Sequence, residues 1–237
     1  MIKNSTRDIN VADRVLYEDN HLIVINKPAR ALVQGDKTGD LPIGEHVKAY
    51  LKKKYNKPGD VFLGVVHRLD RPTSGIVLFA RTSKALSRMN ALFKGNQIKK
   101  TYWAITEKAP KNSNGKLIDF LKKTERNNKS AVVKENTSGA KQAELDFQLR
   151  GKGDRYAFVE VNPVTGRHHQ IRVQLSNMGC IIKGDLKYGA KRSNKDGSIC
   201  LHARKLTFTH PVKKEPITII APTPMDNLWS AFEALEK

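Results

Sequence analysis

Cysteine is nearly missing from this chain. The two that occur, Cys180 and Cys200, have no C-x-x-C partner, which excludes a disulfide scaffold and a structural zinc site. Long apolar runs are missing too. No segment approaches the roughly 18 apolar residues of a membrane span, and Met1–Thr6 lacks the apolar stretch of a secretory signal. These absences predict a soluble protein of a reducing cytoplasm. Acidic side chains are the third shortage, 23 Asp and Glu against 43 Lys and Arg, for a net charge of +20. A surplus of that size repels itself unless an anionic partner is near.

Several catalytic classes are also excluded. No glycine-rich loop cradles a nucleotide cofactor, and the H-x-E with P-C-x-x-C pattern of a zinc deaminase is absent. His168 and His169 are adjacent, so on a helix their side chains should diverge, and no metal site is expected. His67, His168, His202 and His210 read most simply as structural or partner-facing polar residues.

The positive charge is concentrated. Residues 81–134 carry a net +11 and residues 150–214 a net +10, while the remainder is close to neutral. No basic amphipathic helix with a Trp or Phe face suits a membrane surface, so the pattern favours a nucleic-acid partner.

At 237 residues the chain has room for one large α/β domain, and a single domain over 1–237 is expected. Leu22–Asn26 reads as a buried strand ending at Lys27-Pro28. Ile43, Val47, Tyr50 and Leu51 recur at helical spacing. Phe62–Val66 and Gly75–Ala80 read as strands, and a helix capped by Thr82 or Ser83 should stop at Gly95. Further strands are expected over Thr101–Thr106, Ala143–Leu149, Tyr156–Val161, Leu201–Thr209 and Ile217–Ile220. The polar stretches Lys111–Asn114 and Lys122–Ser130 read as mobile. Helical spacing returns from Arg167 to Met178, and Met225, Leu228, Phe232 and Leu235 mark a terminal helix over about 223–236. Strands outnumber helices without βαβ alternation. The expected fold is therefore α+β, a mixed and largely antiparallel sheet flanked by helices.

The segment His67-Arg-Leu-Asp70-Arg71-Pro-Thr-Ser-Gly75 places a carboxylate on a loop between two strands, among Arg68 and Arg71. Such a loop presents a nucleophile well, yet an isolated aspartate before Pro-Thr-Ser-Gly also caps a turn. A kinase catalytic loop is ruled out by the missing asparagine and D-F-G element.

This segment, continued by Ile76–Ala80, resembles the catalytic motif of the RluA-type pseudouridine synthases. Leu22-Ile-Val-Ile-Asn-Lys27-Pro28 resembles their opening strand, and Lys100-Thr-Tyr102 their K-x-Y element. Val164-Thr-Gly-Arg167-His-His169-Gln-Ile-Arg172-Val resembles the arginine segment, which Gly184-Asp185 and Tyr188-Gly189 continue. Leu201-His202-Ala203 resembles a late strand beside the base pocket. The likeness runs from about residue 15 to 222 in the family's order. Ala29-Arg30 and Gln34 replace the usual glycine and histidine, and Gln174 stands where R-V-H is common.

The resemblance implies an RNA isomerase needing no cofactor or metal. Asp70 would be the nucleophile, Arg172 its ionic partner and Tyr102 the ring against the target uracil. Arg68, Arg71, Arg167, His169 and Leu201 would contact the flipped nucleotide. One carboxylate suffices because the base is retained, whereas a glycosidase must also protonate a leaving group and admit water. Attack at C1′ and a glycal route both remain open, as do ribosomal and transfer RNA. Two competing readings are an RNA-binding or chaperone protein on a synthase scaffold and a hydrolytic RNA glycosidase. A monomer is expected, without the small N-terminal S4 RNA-binding domain of many relatives. RNA capture would then rest on the basic surface, so affinity for RNA should fall steeply as salt rises, measurable by filter binding; near-constant affinity would contradict the electrostatic account.

Overall fold

The computed structural model describes residues 9–36, 39–124 and 128–236. In chain order its strands and helices are β1 Val15–Glu18, β2 Leu22–Lys27, α1 Ile43–Lys54, β3 Gly64–Val65, β4 Ser74–Ala80 and α2 Ser83–Lys94. They continue with β5 Lys99–Thr106, β6 Asn114–Thr124, β7 Lys129–Val133, β8 Lys141–Lys152, β9 Ala157–Pro163, α3 Gln170–Asn177, β10 Leu201–Thr209, β11 Pro216–Ile220 and α4 Asn227–Glu233. The α+β class expected from patterning is the one found. The residues group into two compact units, one formed up to Ile98 together with Lys205–Pro222, the other by Lys99–Arg204 with the chain from Thr223 onward.

In the first unit β2 lies between β1 and β4, and β3 also pairs with β4, all antiparallel. Every residue of β4 is buried. A strand covered on both faces reads as an unbroken apolar run, which is why Gly75–Ala80 shows no alternation. Helix α2 starts at Thr82, whose side chain accepts the Ala85 N–H at 3.1 Å, as the capping signal requires. Glu18 ties α1 to the sheet: it accepts from Tyr50 at 3.1 Å, Lys54 at 2.8 Å and Tyr55 at 2.6 Å, and pairs with Arg81 at 3.3 Å. A β10–β11 hairpin completes the unit, with Lys205 opposite Ile220.

The second unit carries the antiparallel order β5-β9-β8-β6-β7. Its core gathers Trp103, Ile105, Leu145, Val159, Val161, Leu175, Trp229 and Phe232. The Trp103 and Phe232 rings stack 4.4 Å apart, a contact that fastens α4 by aromatic packing.

Two expectations are corrected here. Lys122–Ser130, read as mobile, supplies Lys122–Thr124 to β6 and Lys129–Ser130 to the paired β7, with Asn128 in a turn; residues 125–127 lie outside the described residues. Lysines obscured the pattern because β7 ends the sheet order of this unit, and edge strands carry charge that blocks stray pairing. Met225, expected on the apolar face of the terminal helix, is fully exposed, because α4 begins only after Asp226 accepts the Leu228 N–H at 2.8 Å. Among the described residues no helix is long and apolar enough to cross a membrane.

His210 carries a pH dependence into the first unit. It is fully buried, with Nδ1 accepting the N–H groups of Val212 and Lys213 at 3.1 and 2.8 Å and Nε2 3.0 Å from Asp19. Burial holds its pKa below the ordinary 6.5, with Lys213 and His21 adding to the effect and Asp19 opposing it. The unfolded chain therefore takes up a proton near 6.5 that the folded protein resists, and stability that is complete above that pH drains away below it. The melting temperature should drop as pH falls below 6.5, and drop less in His210→Gln, whose amide does not titrate. Equal drops in the two proteins would contradict this.

Candidate active site

In the first unit, Asp70 sits half-buried on the loop between β3 and β4. His67 is not turned toward a ligand: its Nε2 accepts the Leu78 N–H at 3.1 Å and its ring stacks on Phe93 at 5.1 Å. The side chain thus occupies a ladder position on β4 that the two-residue strand β3 is too short to reach. A Thr73 N–H to Asp70 carbonyl bond of 3.0 Å closes the turn that follows.

The main chain beyond Asp70 is gripped from β2. The Arg71 carbonyl accepts the Arg30 N–H at 2.6 Å and the Lys27 ammonium at 3.3 Å. Lys27 is fully buried and also donates to the carbonyls of Pro28 at 3.0 Å and Ala31 at 2.9 Å. Burial pushes its pKa down to about 7; the Asp70 carboxylate works against this and the Arg71 guanidinium with it. Two of the three arginines expected to contact the flipped nucleotide lie here, and of these Arg68 is exposed and donates to Gln34 Oε1 at 3.0 Å. Arg71 pairs with Asp40, and more loosely with Asp36 at 3.8 Å. Arg30 and Gln34, which depart from the family pattern, are thus contacts of the Asp70 loop. That could not be read from the motif alone.

In the second unit, Tyr102 is half-buried on β5 opposite Val161 and packs on the core. Leu201 is buried in that core. The turn into α3 shows why its sequence has its spacing. Gln170 Oε1 accepts from the Thr165 hydroxyl at 2.7 Å and the Arg167 N–H at 2.9 Å, while its Nε2 donates to the Glu144 carbonyl at 2.9 Å. Arg167 is exposed and its Nε donates to the Gln142 carbonyl at 2.8 Å.

The histidine pair overturns another expectation. Helix α3 starts at Gln170, His169 is left-handed at φ +54°, and the His168 and His169 rings stack 3.8 Å apart instead of diverging. His168 Nδ1 lies 2.9 Å from Ser130 Oγ, and the buried His169 holds Tyr188 through Nδ1 to the hydroxyl at 2.9 Å.

Helix α3 is buried from Gln170 through Leu175, polar residues included. Gln174 Nε2 donates to Asp119 at 2.8 Å. Arg172 is 4 % exposed, with Asp185 taking its Nε at 2.7 Å and its Nη2 at 2.8 Å. Asp185 was missed as a site residue by sequence reasoning; the only signal was its place in Gly184-Asp185, since a partner 13 positions away follows no periodicity.

Residues 21–177, which span the Asp70 loop, Tyr102 and Arg172, match the family model described as RNA pseudouridylate synthase. The chain belongs to this pseudouridine synthase family. A ribosomal large subunit pseudouridine synthase C of Vibrio vulnificus is 35 % identical over 89 % of the chain and 65 % of its own length. The chain therefore spans a little under two thirds of that relative. An RNA pseudouridine synthase of Zymomonas mobilis, described as uncharacterised, is 33 % identical over 90 % of the chain and 95 % of its own length. The solved structure of human RNA pseudouridylate synthase domain containing 4 superposes with a TM-score of 0.78 at 26 % identity, covering 94 % of this chain and 93 % of that one.

Lys27 gives this synthase-family chain a second measurable pH effect. Above about pH 7 the folded protein surrenders a proton that the unfolded chain keeps up to its ordinary 10.5, so stability should rise with pH across that window. Denaturation midpoints from about pH 7 to about pH 9 should rise in the wild type relative to Lys27→Met. A constant difference would show that Lys27 does not titrate there.

Proposed function

We propose that this chain isomerises uridine to pseudouridine in structured RNA, with Asp70 as the nucleophile. The observation that carries the reading is the family match across residues 21–177, which includes the loop bearing Asp70. The names of the relatives favour large-subunit ribosomal RNA over transfer RNA as the substrate class. Residues 15–222 are proposed to work as one catalytic domain, in the cytoplasm and as a monomer.

The reaction breaks the C1′–N1 bond and makes a C1′–C5 bond, with the proton lost from C5 balanced by one gained at N1. Nothing is added or removed overall, so neither cofactor nor metal has a step to perform. A carboxylate that is ionised and aimed meets the central demand. The proposed role of Arg172 is to hold the Asp70 carboxylate ionised and oriented, for which a guanidinium fork is suited. Tyr102 would lie against the uracil and assist proton removal from C5. Arg68, Arg71, Arg167 and His169 would support the flipped nucleotide, whose extraction from its stack costs a few kcal/mol. For Arg71 and His169 this means acting from positions already held by Asp40 and Tyr188.

Purified protein without added metal or nucleotide should release tritium from RNA labelled at uridine C5. The test RNA is a transcript of bacterial large-subunit ribosomal RNA. Asp70→Asn and Asp70→Ala should abolish release while retaining RNA binding and the folded circular-dichroism spectrum. Normal turnover in both variants would refute the role of Asp70, and free uracil would reveal a glycosidase instead.

A further inference from the structure

The guanidinium of Arg172 is held from one six-residue stretch, Gly184–Gly189. Asp185, 1 % exposed, takes two of its N–H donors side by side, which fixes the plane of the fork. The buried Tyr188 ring has its centroid 5.1 Å from the guanidinium carbon, and a cation against an aromatic ring resists displacement. The stretch can do both because its ends turn where only glycine fits easily. Gly184 sits at φ +85° and Gly189 at φ +104° around the short 3-10 turn Leu186–Tyr188. A Cβ on Gly184 would meet the Asn194 side chain and the Ser198 carbonyl at 2.8 Å. Tyr188 is itself held: its hydroxyl accepts the Ser130 N–H at 2.9 Å and is bonded to His169 Nδ1 at 2.9 Å.

A buried ion pair contributes little net stability. What this one supplies is a single orientation, and orientation is what a group acting on a reacting carboxylate needs. We propose that Asp185 and Tyr188 are positioning residues for the isomerisation, acting on it only through the guanidinium of Arg172. This rests on the reading of Arg172 given above.

Asp185→Asn removes the charge and keeps the shape, Tyr188→Leu removes the ring, and Tyr188→Phe removes only the hydroxyl. Single-turnover tritium release from the ribosomal transcript should slow about 100-fold in the first two, with RNA affinity within about threefold of wild type. Adding Asp185→Asn to Arg172→Lys should slow the reaction little further, because both changes remove one interaction. A purely structural role would instead multiply the two losses. Wild-type rates in folded Asp185→Asn and Tyr188→Leu, losses that multiply, or a fall in RNA affinity that accounts for the lost rate would each overturn the inference. Should those two variants fail to fold, Tyr188→Phe decides: a rate loss of about tenfold at unchanged affinity supports the role, and an unchanged rate refutes it. Asp70→Asn and Arg172→Lys are the controls. Normal turnover in them removes the underlying reading of the site, whereas their inactivity beside active Asp185 and Tyr188 variants removes the positioning role alone.

Discussion

A guanidinium taken out of water has to be met by a carboxylate held as firmly as itself, and the second unit is arranged around that demand. Without Asp185, the Arg172 charge would lie in a helix buried along its first six residues, at a cost of several kcal/mol. Meeting it fixes much else. Asp185 must arrive on a tight turn, the turn needs glycines at both ends, and the ring it brings in must be satisfied at its hydroxyl. Ser130 and His169 do the last of these, which draws strand β7 and the start of α3 into the same arrangement.

The first unit handles its own buried cation differently. Lys27 is held by three carbonyls, none of which carries a countercharge, and burial makes its ammonium easy to deprotonate. One of those carbonyls belongs to Arg71, the residue after Asp70, so the lysine fastens the Asp70 loop through the main chain. A loop fixed through its backbone keeps its shape whatever its side chains are doing, which suits the proposed role of the Asp70 carboxylate.

What could be read in the sequence was whatever the chain encodes locally. The uninterrupted apolar run of β4, the Thr82 cap and the periodicity of α1 are short-range signals, and the elements stand where those signals put them. The Asp70 loop followed from the two apolar segments around it. The missed strands and the missed Asp185 have one physical root, which is that their partners are distant. Strands β6 and β7 carry Lys122, Lys123 and Lys129 at a sheet edge, and only the partner strand reveals the ladder. The stacked histidines depended on His169 adopting a left-handed backbone, a choice made by the turn that Gln170 ties together. Asp185 depended on tertiary approach alone.

The stretch from Gly184 to Gly189 is constrained in a particular way. Leu186 and Lys187, between the two functional side chains, are both exposed and can be exchanged at little cost. The number of residues cannot change. One residue more or fewer would rotate Asp185 and Tyr188 onto different sides of the turn and separate the carboxylate from the ring. Sequence drift between Asp185 and Tyr188 is therefore open in identity and closed in length, and a relative with an insertion there would need another way to hold its arginine.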